Sequence, residues 1–157
     1  MSSVTFAFSA SPVRQCLAYL QFSNLSPFDA LASLLWLQIS SYKDASLGPA
    51  QLTLALDCRR LESGSIKAEL TCLAWDDVPV YNAQFSAGAT RVYVGYRVGN
   101  AQGEGLVVIM AGAPGDREEA QTVTVTLPTD LTAKIYRDEA ILKYGPRIMF
   151  SLKYIYR

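Results

Sequence analysis

Histidine is the residue that this sequence lacks altogether: none of its 157 residues is a histidine. This absence excludes Ser-His-Asp and Cys-His catalytic arrangements and metal sites built from imidazole. Catalysis by two carboxylates would remain, as in glycoside hydrolysis. The adjacent pairs Asp76-Asp77 and Glu118-Glu119 stand beside proline or glycine in predicted turns, however, and we interpret them as solvated loop acids. We therefore expect neither an enzyme nor a cofactor.

Charge is also scarce. Only 18% of the residues are charged, whereas 50% are hydrophobic, which is little charge for a soluble monomer. We expect some apolar surface to meet another chain. The formal net charge is zero, so the molecule as a whole has no strong long-range attraction to nucleic acid or to an anionic membrane. The distribution is uneven: residues 134–157 carry six cations against two anions, a net +4, which leaves a net −4 on the rest.

Cysteine is limited to Cys16, Cys58 and Cys72, an odd number without a CxxC pair. Each lies in an apolar run, which favours reduced, buried thiols over a disulfide framework. The first residues have no basic segment ahead of an apolar one, so we expect no secretory signal. The longest apolar-leaning stretch, residues 30–39, is too short to span a bilayer, and no membrane partner is expected.

Alternation of apolar and polar residues is what the sequence has in abundance. The clearest case is residues 147–157, whose even-numbered positions are all apolar or aromatic while the other face carries most of the polar and cationic residues. This pattern predicts a β-strand with one face in the core. We expect it to be an interior strand of the fold, since an unpaired terminal strand would be a liability.

Other segments follow the same rule. Further strands are predicted at residues 4–8, 13–22, 34–40, 51–57, 65–75, 90–98, 106–110 and 122–127, with 131–137 as another segment before the last strand. The continuous apolar run at 106–110 indicates a strand covered on both faces. One short helix is predicted at 26–33, because Ser26 precedes a proline and Asp29 lies in the first turn. Residues 144–146 form a predicted tight connection.

The strand count decides the predicted fold class. About eight to ten short strands at even spacing, with one short helix, are typical of a sandwich or barrel. No βαβ rhythm is visible, so α/β folds are not expected. We therefore predict an all-β fold: a single domain over residues 1–157, built as a two-sheet jelly-roll sandwich with about eight strands and one short helix.

The best candidate for a functional surface is the outward face of two predicted strands. It combines cations with an aromatic ring, which suits phosphate contact and base stacking on a single strand of nucleic acid. Its residues are Arg91, Tyr93, Arg97, Arg147, Lys153 and Arg157. The alternative is that these cations keep the solvent side of each strand soluble and guard sheet edges. Without a basic tail, they would give only modest, salt-sensitive affinity.

Two segments carry a family resemblance. One is Leu34-Leu-Trp-Leu37, which follows a predicted short helix and precedes a polar loop, and the other is residues 130–142 with Gly145 and 148–157. They resemble, respectively, a Trp-containing strand and the last two strands of the jelly-roll coat proteins of small plant RNA viruses, of the bromovirus and tymovirus kind. The arginine-rich N-terminal arm of bromovirus coats has no counterpart in residues 1–11. Without such an arm, the resemblance implies that RNA would be contacted by the inner face of the shell, or that the shell would be held together mainly by contacts between protein subunits.

These observations lead to one functional prediction and one alternative. We predict a structural subunit that self-assembles into a viral capsid around a nucleic-acid genome. Its partners would be copies of itself, with viral RNA on the inner face, and it would be found in the virion and in the host cytoplasm during assembly. The alternative is a non-viral β-sandwich binding module that recognises carbohydrate or peptide, which exposed aromatics clustered on one concave face, such as Tyr93, Tyr81 and Trp75, would favour.

Overall fold

The computed structural model describes residues 1–20, 25–42, 52–55, 70–75, 78, 81–82, 105–112 and 121–153. These residues include six strands and four helices. The strands are β1 (Ser2–Phe8), β2 (Leu52–Ala55), β3 (Leu70–Trp75), β4 (Leu106–Ala111), β5 (Gln121–Leu127) and β6 (Arg147–Lys153). The helices are α1 (Ala10–Leu20), α2 (Pro27–Ser41), α3 (Thr129–Ile135) and α4 (Glu139–Leu142).

The six strands form one mixed sheet in the order β2-β3-β4-β5-β1-β6. The β2/β3 and β3/β4 pairs are parallel, and the other three pairs are antiparallel. The predicted all-β, two-sheet jelly-roll sandwich is therefore wrong, because in this fold helices rather than a second sheet pack on the core face of a single sheet. The exclusion of mixed α and β folds was wrong for the same reason.

The main core lies between one face of the sheet and the helices. From the strands it takes Val4, Phe6, Phe8, Leu70, Cys72, Val107, Ile109, Val123, Val125 and Leu127. From the helices it takes Val13, Phe28, Leu31, Ala32, Leu35, Ile39, Ile135 and Ile141. Full burial of a large apolar side chain contributes about 1.5–3 kcal/mol, so this layer is a main source of stability.

The opposite face of the sheet is buried as well. Leu73, Val108 and Met110 form a second apolar cluster there, with Trp75 and Leu106 packed against it. The prediction that residues 106–110 are a strand covered on both faces is thus confirmed. Alternation alone predicts one solvated face, but on β5 all seven residues are buried.

Hydroxyl groups occupy this second face where β1 and β5 pair. Ser3 and Thr126 are cross-strand partners whose hydroxyl oxygens lie 2.8 Å apart, and those of Thr5 and Thr124 lie 3.1 Å apart. In each pair one hydroxyl donates to the other, so each of these buried oxygens has a partner within the sheet. The alternating threonines predicted to be a strand at residues 122–127 therefore stabilise a buried ladder.

Helix α1 replaces a predicted strand. Residues 13–22 alternate in the sequence, but Ala10–Leu20 is helical. Val13 is buried and Leu17 packs against the core, a spacing of four residues that places both side chains on one helix face. Pro12 is tolerated in the first turn, where backbone N–H groups have no partner within the helix. A strand would place Gln15 on the same face as Val13 and Leu17. In the helix Gln15 is exposed instead.

Helix α2 confirms one prediction and overturns another. The predicted helix at residues 26–33 is present, but it continues to Ser41 and so replaces the strand predicted at 34–40. Leu31, Leu35 and Ile39 are all buried at a spacing of four residues, which fits a helix. A short continuous apolar run does not distinguish a strand from a buried helix, and this is where the prediction failed.

Residues 129–142 also differ from the prediction. The segment that resembled the penultimate strand of a coat protein forms α3 and α4. Asp138 begins α4 by accepting a hydrogen bond from the backbone N–H of Ile141 at 2.9 Å. The tight connection predicted at residues 144–146 is confirmed, because Gly145 has a φ of +59°, a left-handed conformation that favours glycine.

The last predicted strand is confirmed over Arg147–Lys153, but among the described strands β6 has an outer rather than an interior position, next to β1. A register shift interrupts its alternation, because Ile148 lies opposite Phe6 whereas Phe150 lies opposite Thr5. Bulges of this kind are common on outer strands. The strands predicted at 4–8, 51–57 and 65–75 are confirmed by β1, β2 and β3, and the one at 90–98 lies outside the described residues.

Candidate functional site

The predicted nucleic-acid face is only partly within the described structure. Arg91, Tyr93, Arg97 and Arg157 lie outside the described residues. Arg147 is exposed at the start of β6. Lys153 ends the same strand, and its side chain is outside the described part. Arg147 and Lys153 are six residues apart on one strand, about 20 Å, so these two described residues do not lie together, and the nucleic-acid site stays a prediction.

Of the aromatic residues named for the alternative binding module, the structure describes Trp75 and Tyr81, and both are half-buried. Trp75 ends β3 and packs against the second apolar cluster. Tyr81 is half-buried in a turn, and Tyr93 is outside the described residues. Trp75 therefore contributes to packing, and nothing in the described contacts gives it a ligand-binding role.

Two of the acidic residues that the structure describes, Asp29 and Asp138, use their carboxylates in hydrogen bonds that begin helices. Asp76, Asp77, Glu118 and Glu119 lie outside the described ranges. Within those ranges, no three or more histidine, cysteine, aspartate or glutamate side chains are grouped as a metal site would need. Cys72 is the free, buried cysteine of β3, and desolvation raises the pKa of its thiol to about 12, so the thiol stays protonated and unreactive at neutral pH.

Helix α2 is the element whose surface stands out. Its start is fixed by a capping box: the backbone N–H of Asp29 donates to the Ser26 hydroxyl at 3.1 Å, and the Asp29 carboxylate accepts from the Ser26 backbone N–H at 2.9 Å. Asp29 is thereby committed to the first turn, where the helix dipole also favours its charge. It is the one charged residue of α2, and residues 30–41 have none.

The outward side of α2 is a narrow line of residues. Phe28, Leu31, Leu35 and Ile39 face the core, whereas the residues exposed beyond the first turn are Ser33, Leu37 and Ser41. We call these three exposed residues the α2 stripe. Leu37, at its centre, is 60% exposed, the most exposed large hydrophobic side chain among those described. The Ser41 hydroxyl donates to the Gln38 carbonyl of the same helix at 2.7 Å.

The other helices expose charge where α2 does not. Arg14 is exposed on α1, Asp130 and Lys134 are exposed on α3, and Glu139 is exposed on α4. Charged residues on the outward face are the usual condition of a helix in water. The α2 stripe therefore differs from the other described helix surfaces in having no group that prefers water strongly.

A polar contact fixes the C-terminal end of α2 in the helical layer. The Tyr42 hydroxyl donates to Asp138 Oδ2 at 2.6 Å, while Asp138 Oδ1 accepts from the Ile141 N–H at 2.9 Å. The hydrogen bond to Asp138, with desolvation and the nearby negative charges, raises the pKa of the Tyr42 phenol. The Lys134 ammonium lies 5.5 Å from the Tyr42 ring centroid, within the range of a cation–π contact.

Two further apolar side chains are exposed in the same layer. Tyr136 follows α3, Leu142 lies in α4, and each is 38% exposed. Both elements contact α2 or pack on the core that α2 covers.

An open cavity of about 360 Å³ lies along α1, lined by Ala10, Ser11, Arg14, Gln15 and Ala18. It combines one cation with small side chains and offers no convergent set of reactive groups.

Sequence reasoning missed the α2 surface, although a signal was present. Residues 30–42 form a run without charge, and a helical period would have put Ser33, Leu37 and Ser41 on one side. The second half of this run was interpreted as a strand, which would place Leu35 and Leu37 on the same face. The helix separates them, leaving Leu35 buried and Leu37 exposed.

Comparison of the chain with protein-family models, with curated proteins and with solved structures finds no match. Among the helices described, none has both the length and the apolar character needed to cross a membrane.

Proposed function

We propose that this chain is a non-catalytic structural subunit that works by associating with copies of itself. The observation that carries the proposal is the α2 stripe, which presents a 60% exposed leucine on a helix side without charge. Burying this leucine in a contact removes apolar surface from water, which is favourable by about 25 cal/mol per Å². No charged group of the stripe would have to be desolvated.

The partners of the described polar groups support a structural role. The carboxylates of Asp29 and Asp138 cap helices, and the Thr and Ser hydroxyls on β1 and β5 pair with one another. A catalytic acid or nucleophile needs a group that is available to a substrate. These groups are already used in holding helices and strands together.

A viral shell is the more specific form of this proposal. It comes from the resemblance to plant-virus coat proteins, and the jelly roll that the resemblance implied is not the fold of this chain. Association into particles around nucleic acid, in a virion assembled in the host cytoplasm, is proposed from the low charge content and from the net +4 of residues 134–157. That excess of positive charge would favour contact with phosphate.

Sedimentation velocity and light scattering across a range of micromolar concentrations test self-association directly. We expect the mean mass to rise with concentration above that of one chain. A single monomeric mass at every concentration would contradict the proposal. Negative-stain microscopy and the ultraviolet spectrum of any particle then test the viral form, since an assembly free of nucleic acid would remove the genome from the proposal while leaving self-association.

A further inference from the structure

We draw no further inference here: the strongest candidate, the surface patch of exposed cations Lys134, Arg137, Lys143 and Arg147 along α3, α4 and the start of β6, is interspersed with the exposed acids Asp130 and Glu139, belongs to the positively charged segment already used in the proposed function, and has no described geometry that selects one anionic partner over another.

Discussion

At the scale of single residues, the contact between Tyr42 and Asp138 explains how the end of α2 is held in position. Asp138 is 4% exposed and uses both carboxylate oxygens, one for Tyr42 and one for the start of α4. Hydrogen bonds to charged groups are stronger than neutral ones. The position of the α2 stripe relative to α3 and α4 therefore depends on this pair.

Removing one hydroxyl tests that dependence. Tyr42→Phe takes away the donor and leaves Asp138 Oδ2 buried without it, so we expect the free energy of unfolding to fall by about 1–2 kcal/mol. Urea denaturation measures the change. Tyr136→Phe, the same substitution at a side chain that is 38% exposed, should change it by less than about 0.5 kcal/mol. Equal effects of the two variants would show that the contact contributes nothing specific.

The same contact predicts a pH dependence. The hydrogen bond to Asp138 raises the pKa of Tyr42 above its ordinary value of 10.0. Because the pKa of Tyr42 is higher in the folded state than in the unfolded state, the folded protein loses the phenol proton at a higher pH. The stabilisation that the hydrogen bond gives is therefore complete below about pH 10 and is lost as the pH rises through the folded pKa. We expect the urea midpoints of the wild type and Tyr42→Phe to converge above pH ~10. A constant difference at all pH values would contradict this.

Residues separated in sequence could not have been assigned to each other in advance. The Ser26–Asp29 capping box was predictable, because its groups are three residues apart. Tyr42 and Asp138 are 96 residues apart, and neither has a local pattern that points to the other. The cross-strand hydroxyl pairs are likewise invisible in the sequence, since the pairing of β1 with β5 depends on the whole sheet.

At the scale of elements, strands were predicted well and helices poorly. Alternation located β1, β2, β3, β5 and β6 because each lies in a pleated ladder of the kind that alternation describes, and a continuous apolar run located β4. It also produced a false strand at α1 and another at the second half of α2. In both, a helical spacing of four residues was present but was masked by a high overall content of apolar residues.

A matched pair of substitutions on α2 distinguishes its helix from the strand that its sequence predicted. A strand would place Leu35 and Leu37 on one face, whereas the helix buries Leu35 completely and leaves Leu37 60% exposed. We expect Leu35→Ala to destabilise the fold by about 2–5 kcal/mol through a cavity. We expect Leu37→Ala to cost less than about 0.5 kcal/mol, measured at concentrations where the chain is monomeric. Similar losses at both positions would contradict the helix.

The capping box at the start of α2 gives a second test at this scale. Ser26→Ala removes the hydroxyl that accepts from the Asp29 N–H, and we expect it to lower the free energy of unfolding by about 1 kcal/mol. Ser33→Ala makes the same change within the helix at an exposed site, and it should be neutral or slightly stabilising because alanine is the better helix former. Thermal denaturation compares the two, and a larger loss from Ser33→Ala would contradict the cap.

At the scale of the whole molecule, two forces could bring copies together, and they respond to salt in opposite ways. The chain carries a net +4 in residues 134–157 and a net −4 elsewhere, which would allow head-to-tail attraction between copies. The α2 stripe would instead associate through apolar contact without charge. Only the first force is screened by added salt.

Ionic strength therefore decides which force governs assembly. Between about 50 mM and 500 mM sodium chloride the Debye length falls from about 14 Å to about 4 Å, so a charge-driven association weakens strongly. If contact through the α2 stripe governs assembly, we expect the dissociation constant from sedimentation velocity to change by less than about twofold, and sulfate to tighten the association by strengthening apolar burial. If high salt instead weakens self-association about tenfold, and Leu37→Glu does not change the dissociation constant, the contact belongs to the oppositely charged regions. Salt screens the attraction between those regions, whereas the uncharged α2 stripe has no such attraction to lose.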